Sequence, residues 1–286
     1  MRLGLALVAV CACGSVEKIK PDAGKDAPGI DAFVPAVALS MPGPANVDAE
    51  GEYSTLTVQV HTAKPHKVVN VAYSGTTDGT ISPMLDFVTT DGSGDGSSNV
   101  TYLSGSAAGP ATASATVIGT TDGMMSAPLT AMLNIVPLER AGFPTPYPTQ
   151  GSFTVGYLLG EQVTVMTTGH LKRIGFYSAV AGPNIQVGIY TDVSGAPGTL
   201  VAQLPGRAVV AGVNEIQISP IPITAGTYWF MAVYDNTGHV GRHGAGMTDT
   251  KTDYISFTYN SQLPMTFPAP MSYMGDSFNY YLVVGQ

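Results

Sequence analysis

Four polar side chains close together could hold a ligand. Asp235, His239, Arg242 and His243 follow the strand-like run that contains Trp229, within AGTYWFMAVYDNTGHVGRH (225–243). With Asp249 and Asp253 nearby, the two imidazoles offer the nitrogen and oxygen donors that zinc or another divalent ion takes. Histidines four apart converge on one face only in a helix, however, and the glycines of HVGRH and its surroundings make a poor helix. The spacing therefore predicts no metal centre and no cofactor, but a mobile polar loop whose Asp235, His239, Arg242 and His243 are candidate ligand contacts. Trp229, the only tryptophan, is a candidate of another kind, since an exposed indole can stack on the apolar face of a sugar. Mid-strand, the same residue more often belongs to a core.

Other chemistry finds less support. Asp91 and Asp95 in DGSGDG (91–96) resemble the start of a calcium loop, but the twelfth position is Tyr102, where a bidentate glutamate is needed. A glycine-rich turn between strands is the better reading. There is no G-x-S-x-G elbow, no H-E-x-x-H, and no cysteine beyond Cys11 and Cys13 to act as a nucleophile. The chain therefore reads as a non-enzyme. A carboxylate pair for glycoside hydrolysis leaves no spacing signature, so a glycosidase stands as an alternative.

The elements that position these residues are strands. Thirty-four Gly and 21 Pro interrupt the 286-residue chain too often for long helices, and Val, Thr and Tyr fill the intervals. With only 11% charged residues, a net charge of -8 and no Lys or Arg cluster, no nucleic-acid partner is expected. The length suffices for two domains with separate cores.

Residues 1–13, MRLGLALVAVCAC, join Arg2 to an apolar run too short to span a membrane. This segment resembles the lipobox signal peptide of bacterial lipoproteins. The resemblance implies acylation of Cys13, which follows the small Ala12, with Cys11 as second choice. Gly14 and Ser15 follow with no aspartate, so the pattern implies an outer-membrane or cell-surface site. Residues 14–35 are rich in Pro, Asp, Ala and Gly, lack an apolar period, and read as a disordered tether.

Residues 36–137 hold seven strand candidates, Ile81–Val88 among them, and fit an immunoglobulin-like sandwich. Thr89, Thr90, Asp91, Gly94, Gly109, Ala113, Ala115 and Val117 resemble the Ig-like repeats of invasin and intimin type adhesins, which implies a spacer or adhesion module. Residues 138–150, with Pro144, Pro146 and Pro148, read as a hinge. Residues 151–286 hold ten strand candidates and fit a jelly-roll sandwich. Among them Thr199–Gln203 and Ala208–Val210 are separate strands, and Thr227–Tyr234 is apolar on both faces, with the tail 263–281 as its lid. Gly188–Asp192, Pro197–Leu200 and Ala225–Trp229 resemble a carbohydrate-binding-module-like sandwich of bacterial surface proteins, which makes a glycan the expected ligand. An envelope or adhesion protein that binds protein partners is the alternative from another class.

Overall fold

The computed structural model describes residues 37–40, 46–76, 79–120, 129–148, 150–152, 155–236, 239–243 and 250–286. The signal segment with Cys11 and Cys13, and the tether over 14–35, lie outside the described residues, as does Asp249. Described residues are all-β. The first sandwich comprises β1 (Val37–Ser40), β2 (Asn46–Asp48), β3 (Tyr53–Thr62), β4 (Val68–Thr76), β5 (Gly79–Ser82), β6 (Leu85–Thr89), β7 (Asp95–Ser104), β8 (Gly109–Thr120) and β9 (Leu129–Val136). The second comprises β10 (Glu139–Gly142), β11 (Gln150–Ser152), β12 (Tyr157–Val165), β13 (Gly169–Ser178), β14 (Asn184–Val193), β15 (Ala196–Ala208) and β16 (Gly212–Ile223). It continues with β17 (Gly226–Tyr234), β18 (His239–His243), β19 (Lys251–Ser256), β20 (Met271–Met274), β21 (Ser277–Phe278) and β22 (Tyr280–Gly285).

In the first sandwich a sheet in the order β1-β3-β7-β5 faces one in the order β2-β9-β8-β4-β6, an immunoglobulin-like arrangement. Period-two alternation builds it. Leu56, Val58 and Val60 of β3, Val100 and Tyr102 of β7, and Ala111 to Val117 of β8 at every second position share one buried core. Ile81–Val88 is two strands, with β5 on β7 and β6 on β4, because Pro83 interrupts the ladder and the chain changes sheets there. Asp91 closes the β6–β7 turn: its Oδ1 accepts from the Ser93 amide (2.8 Å), the Ser93 hydroxyl (2.7 Å) and the Asp95 amide (3.0 Å).

The second sandwich, of jelly-roll type, packs a sheet in the order β10-β22-β13-β18-β11, with β16 on β13 and β21 on β18, against a sheet in the order β15-β14-β17-β12-β19-β20. Between them Phe230 stacks on Tyr280 at 4.3 Å, and Phe278 on Tyr280 at 5.2 Å. Residues 199–210 form one strand only as far as Ala208, paired with β14 through three irregularities, one of which spans Pro205.

Within the segment expected as a hinge, residues 139–142 form a strand. Its prolines begin only after Gly142, so Glu139–Gly142 is free to pair as β10 with Tyr281–Val284, burying Leu138 and Ala141. Asn279 then holds the proline-rich strip: its Nδ2 donates to the Phe143 and Thr145 carbonyls (3.2 and 2.5 Å), and its Oδ1 accepts from the Tyr147 amide (3.0 Å). A fully buried asparagine with such partners pins a segment that has no ladder of its own.

Candidate functional site

Strand β17 delivers its side chains to two interiors. Tyr228, Phe230, Ala232 and Tyr234 enter the intersheet core, and Trp229, Met231 and Val233 enter a second cluster with Leu158, Tyr190, Leu263 and Phe267. The first part of the tail supplies the last two of these and is the lid over the outer face, whereas from Met271 on the expected lid enters the sheets as β20, β21 and the start of β22. It is fastened by the Leu200 amide to the Met265 carbonyl (2.9 Å) and the Phe267 amide to the Gly198 carbonyl (2.8 Å). Trp229 is consequently 0% exposed and offers no ring face to a sugar. Its Nε1 donates to Asp192 Oδ1 (2.8 Å), which also accepts from Gln162 Nε2 (2.8 Å), and Lys251 Nζ lies 5.4 Å from the indole centroid. Burial pushes the Asp192 carboxyl up, but the bonds from Trp229, Gly195 and Gln162 and the charge of Lys251 outweigh it and hold it below its ordinary value.

The stretch after β17 is no loop throughout. His239–His243 is strand β18, paired with Gln150–Ser152, with Ser178 of β13 and with Ser277–Phe278. Flanking backbones satisfy its amides and carbonyls, which glycine content and polarity could not announce. The side chains of His239, Arg242 and His243 lie outside the described residues. Asp235 is exposed, and both its oxygens bind Asn184, Oδ1 the backbone amide (2.7 Å) and Oδ2 the side-chain amide (2.5 Å), closing the end of the β14–β17 pair. Asp253 is fully buried between Ser272 Oγ (2.6 Å) and Lys251 Nζ (3.0 Å). Among the described residues no three His, Cys, Asp or Glu side chains converge as a metal site.

An aromatic rim stands elsewhere. On the core-facing side of β12, β19 and β20, Tyr157, Tyr254 and Tyr273 form a diagonal stripe across three adjacent strands. Ring centroids are 5.7 Å apart for the first pair and 5.9 Å for the second, at interplanar angles of 76° and 62°. The inner tyrosines are half-buried against the core, while Tyr273 is 37% and neighbouring Met271 50% exposed on the edge strand β20. The face that buries the core at its centre runs out into solvent here, which leaves apolar rings where a ligand can lie against them. No local signal marks this rim, since its members come from three distant segments.

Beneath the rim Glu161 projects from β12 into the core, 0% exposed. Its Oε1 accepts from the Phe278 amide (2.8 Å) and Oε2 meets the Ser277 hydroxyl (3.0 Å), which lies 3.1 Å from the Tyr147 hydroxyl. Burial pushes its carboxyl up to about 8, against the pull of the Phe278 and Ser277 bonds and helped by the nearby charge of Asp276. A raised carboxyl suits a general acid, but both oxygens of this one are engaged and no solvent reaches it, so it cannot touch a substrate in this arrangement.

No protein-family model matches the chain. No curated protein matches it either. Among solved structures it is similar to the D0-D1 domain of intimin, at 12% identity over 83% of this chain and 97% of that one, with a TM-score of 0.27. It is similar to the secreted serine protease VesC from Vibrio cholerae at 9% identity, over 70% of this chain and 49% of that one, with a TM-score of 0.25. A third likeness is to the C-terminal domain of the Streptococcus pyogenes antigen I/II-family protein AspA, at 10% identity over 85% of this chain and 98% of that one, with a TM-score of 0.25. At TM-scores this low the likenesses carry nothing about ligand or activity.

Proposed function

We propose that the chain is a non-catalytic protein of the bacterial cell surface, anchored in the outer membrane through acyl chains on Cys13, and that its second sandwich binds a glycan along Tyr157, Tyr254 and Tyr273. The rim is the observation that supports this reading. It presents three rings on one face, with Tyr273 and Met271 open to solvent. The first sandwich is then a spacer between the tether and the binding face.

Screening the protein on a glycan array should identify a retained sugar, and Tyr273→Ala should weaken its binding by about tenfold, the loss of roughly 1.4 kcal/mol of stacking. Because Tyr273 is partly exposed, its melting temperature should stay near that of the unmodified protein. An array with no retained glycan, or binding indifferent to both Tyr254→Ala and Tyr273→Ala, defeats this reading. A second reading rests on Met271, 50% exposed on the edge strand β20 and on the same face as Tyr273. Flexible thioethers suit a surface that adapts to a protein partner, and an adhesion or envelope protein would lose that partner on the same substitutions while the array stays silent.

The anchor has its own test. Radiolabelled palmitate should enter the protein as made in a Gram-negative host and fail to enter Cys13→Ala, which should leave the membrane fraction. Equal membrane retention of the two would remove the lipid anchor from the proposal.

A further inference from the structure

In a chain with few charges, seven of them meet where the two sandwiches touch. Asp48, at the end of β2, and Glu50 and Glu52, in the turn into β3, come from the first sandwich. Arg140 of β10, Lys172 and Arg173 of β13, and Glu215 of β16 come from the second. Arg140 grips Glu50 with two parallel bonds of 2.7 Å, while its Nε donates to Glu215 (2.8 Å). Arg173 donates to Glu52 (2.8 Å), Glu50 (3.1 Å) and Glu215 (3.3 Å). Lys172 Nζ reaches Asp48 (2.5 Å) and Glu52 (3.3 Å), and Asp48 also accepts from the Gln286 amide (2.9 Å). Side-chain exposure across these ion pairs runs from 4% for Asp48 to 31% for Arg140, so they are poorly screened by solvent. Bidentate arginine–carboxylate pairs of this kind fix orientation as well as energy.

The backbone points the same way. Glu50 has φ of 67° and is followed by Gly51 at 78°, a turn with two successive left-handed residues. Gly, Asn and Asp suit its first position, and a glutamate there costs conformational energy that surrounding contacts must offset. The grip of two arginines on its carboxylate is such a contact.

We propose that this cluster is a clamp that makes the two sandwiches one rigid body at neutral pH and releases them in acid. Four carboxylates and three cations balance to a net charge of -1 when all are ionised. Protonating the four leaves +3 between surfaces that the anions had joined, and the small apolar cluster beside them, Leu138 with Tyr281 and Val283, belongs to the β10–β22 pair and does not join the sandwiches. The other ionisable groups near the cluster are the Tyr281 hydroxyl, which donates to Glu215 (3.2 Å), Glu139, whose oxygens cap the Met166 and Thr167 amides, and His170, whose backbone is in register with Gly285. The Arg140 bonds, opposed by burial and joined by Arg173, hold the Glu50 carboxyl below its ordinary value. Its contribution is therefore complete above the ordinary carboxylate range and is lost as pH falls through the depressed value.

Small-angle scattering and calorimetry on the full chain test the clamp. At about pH 7 the scattering should be that of one compact body with a single thermal transition. At about pH 3 the radius of gyration should rise and two transitions should separate, with strand circular dichroism retained. Glu50→Asn is the informative variant, because asparagine suits the left-handed turn and spares the first sandwich while removing the arginines' partner. It should show two transitions already at neutral pH, as should Lys172→Met. Scattering at about pH 3 that superimposes on that at pH 7 overturns the proposal. So does wild-type protein already extended at neutral pH, or Glu50→Asn with a single unshifted transition.

Discussion

Trp229→Ala is expected to lower the stability of the second sandwich by about 3–5 kcal/mol, as truncation of a large buried aromatic side chain does. The indole fills the space between β17 and the lid, so its removal leaves a cavity against Tyr190, Leu263 and Phe267 and takes a donor from Asp192. The lid is fastened by few backbone bonds and cannot collapse far without breaking them. In chemical denaturation followed by circular dichroism the midpoint should fall accordingly, and the melting temperature by roughly 10 °C. Trp229→Phe separates the two causes: it keeps most of the packing but removes the bond to Asp192, and should cost about 1–3 kcal/mol. As the only tryptophan, Trp229 also reports on itself. Its emission should be blue and resistant to soluble quenchers, and a red, quenchable emission together with an unmoved melting temperature would place the indole outside the core.

The same residue shows how far the fold could be read from the chain. Alternation in LTVQV and LTAMLNIV marks β3 and β9, because one face of each is core and the other is wet. In β17 both faces are apolar, so alternation cannot say which is covered or by what; the answer lies in Leu263 and Phe267, some thirty residues downstream. Strand β18 failed to register for the opposite reason. HVGRH has no apolar period, and its strand character comes from backbone bonds to β11 and β21, each too short to be marked. Prolines after Gly142 hid β10, whose neighbours Leu138 and Ala141, three apart, fall on opposite faces and in different clusters and show no alternation. The tyrosine rim and the interface charges were invisible for a common reason: their members are brought together only by pairing between distant strands, and a lone Tyr254 or Glu50 has nothing local to mark it.

Glu161→Gln is expected to reverse sign in its effect between acid and alkali. In the unfolded chain the carboxyl ionises near its ordinary 4.5, and in the fold near 8. Between these values the folded protein keeps a proton that the unfolded chain has lost. Wild-type stability therefore holds below the unfolded value, falls by about 1.4 kcal/mol per pH unit across the window, and levels off above the folded value. Glutamine has the shape and the bonds to stand in for the neutral acid. Its carbonyl can accept from the Phe278 amide, and its NH2 can donate to Ser277 Oγ, whose own proton turns to Tyr147. At about pH 5 the variant should match wild type or fall slightly below it, and at about pH 9 it should exceed wild type by several kcal/mol. Urea unfolding at a series of pH values reads this as two curves that diverge through the window. Parallel curves would mean that Glu161 ionises inside the fold with water at hand, and that Ser277 and Phe278 bind a carboxylate there and not a carboxylic acid.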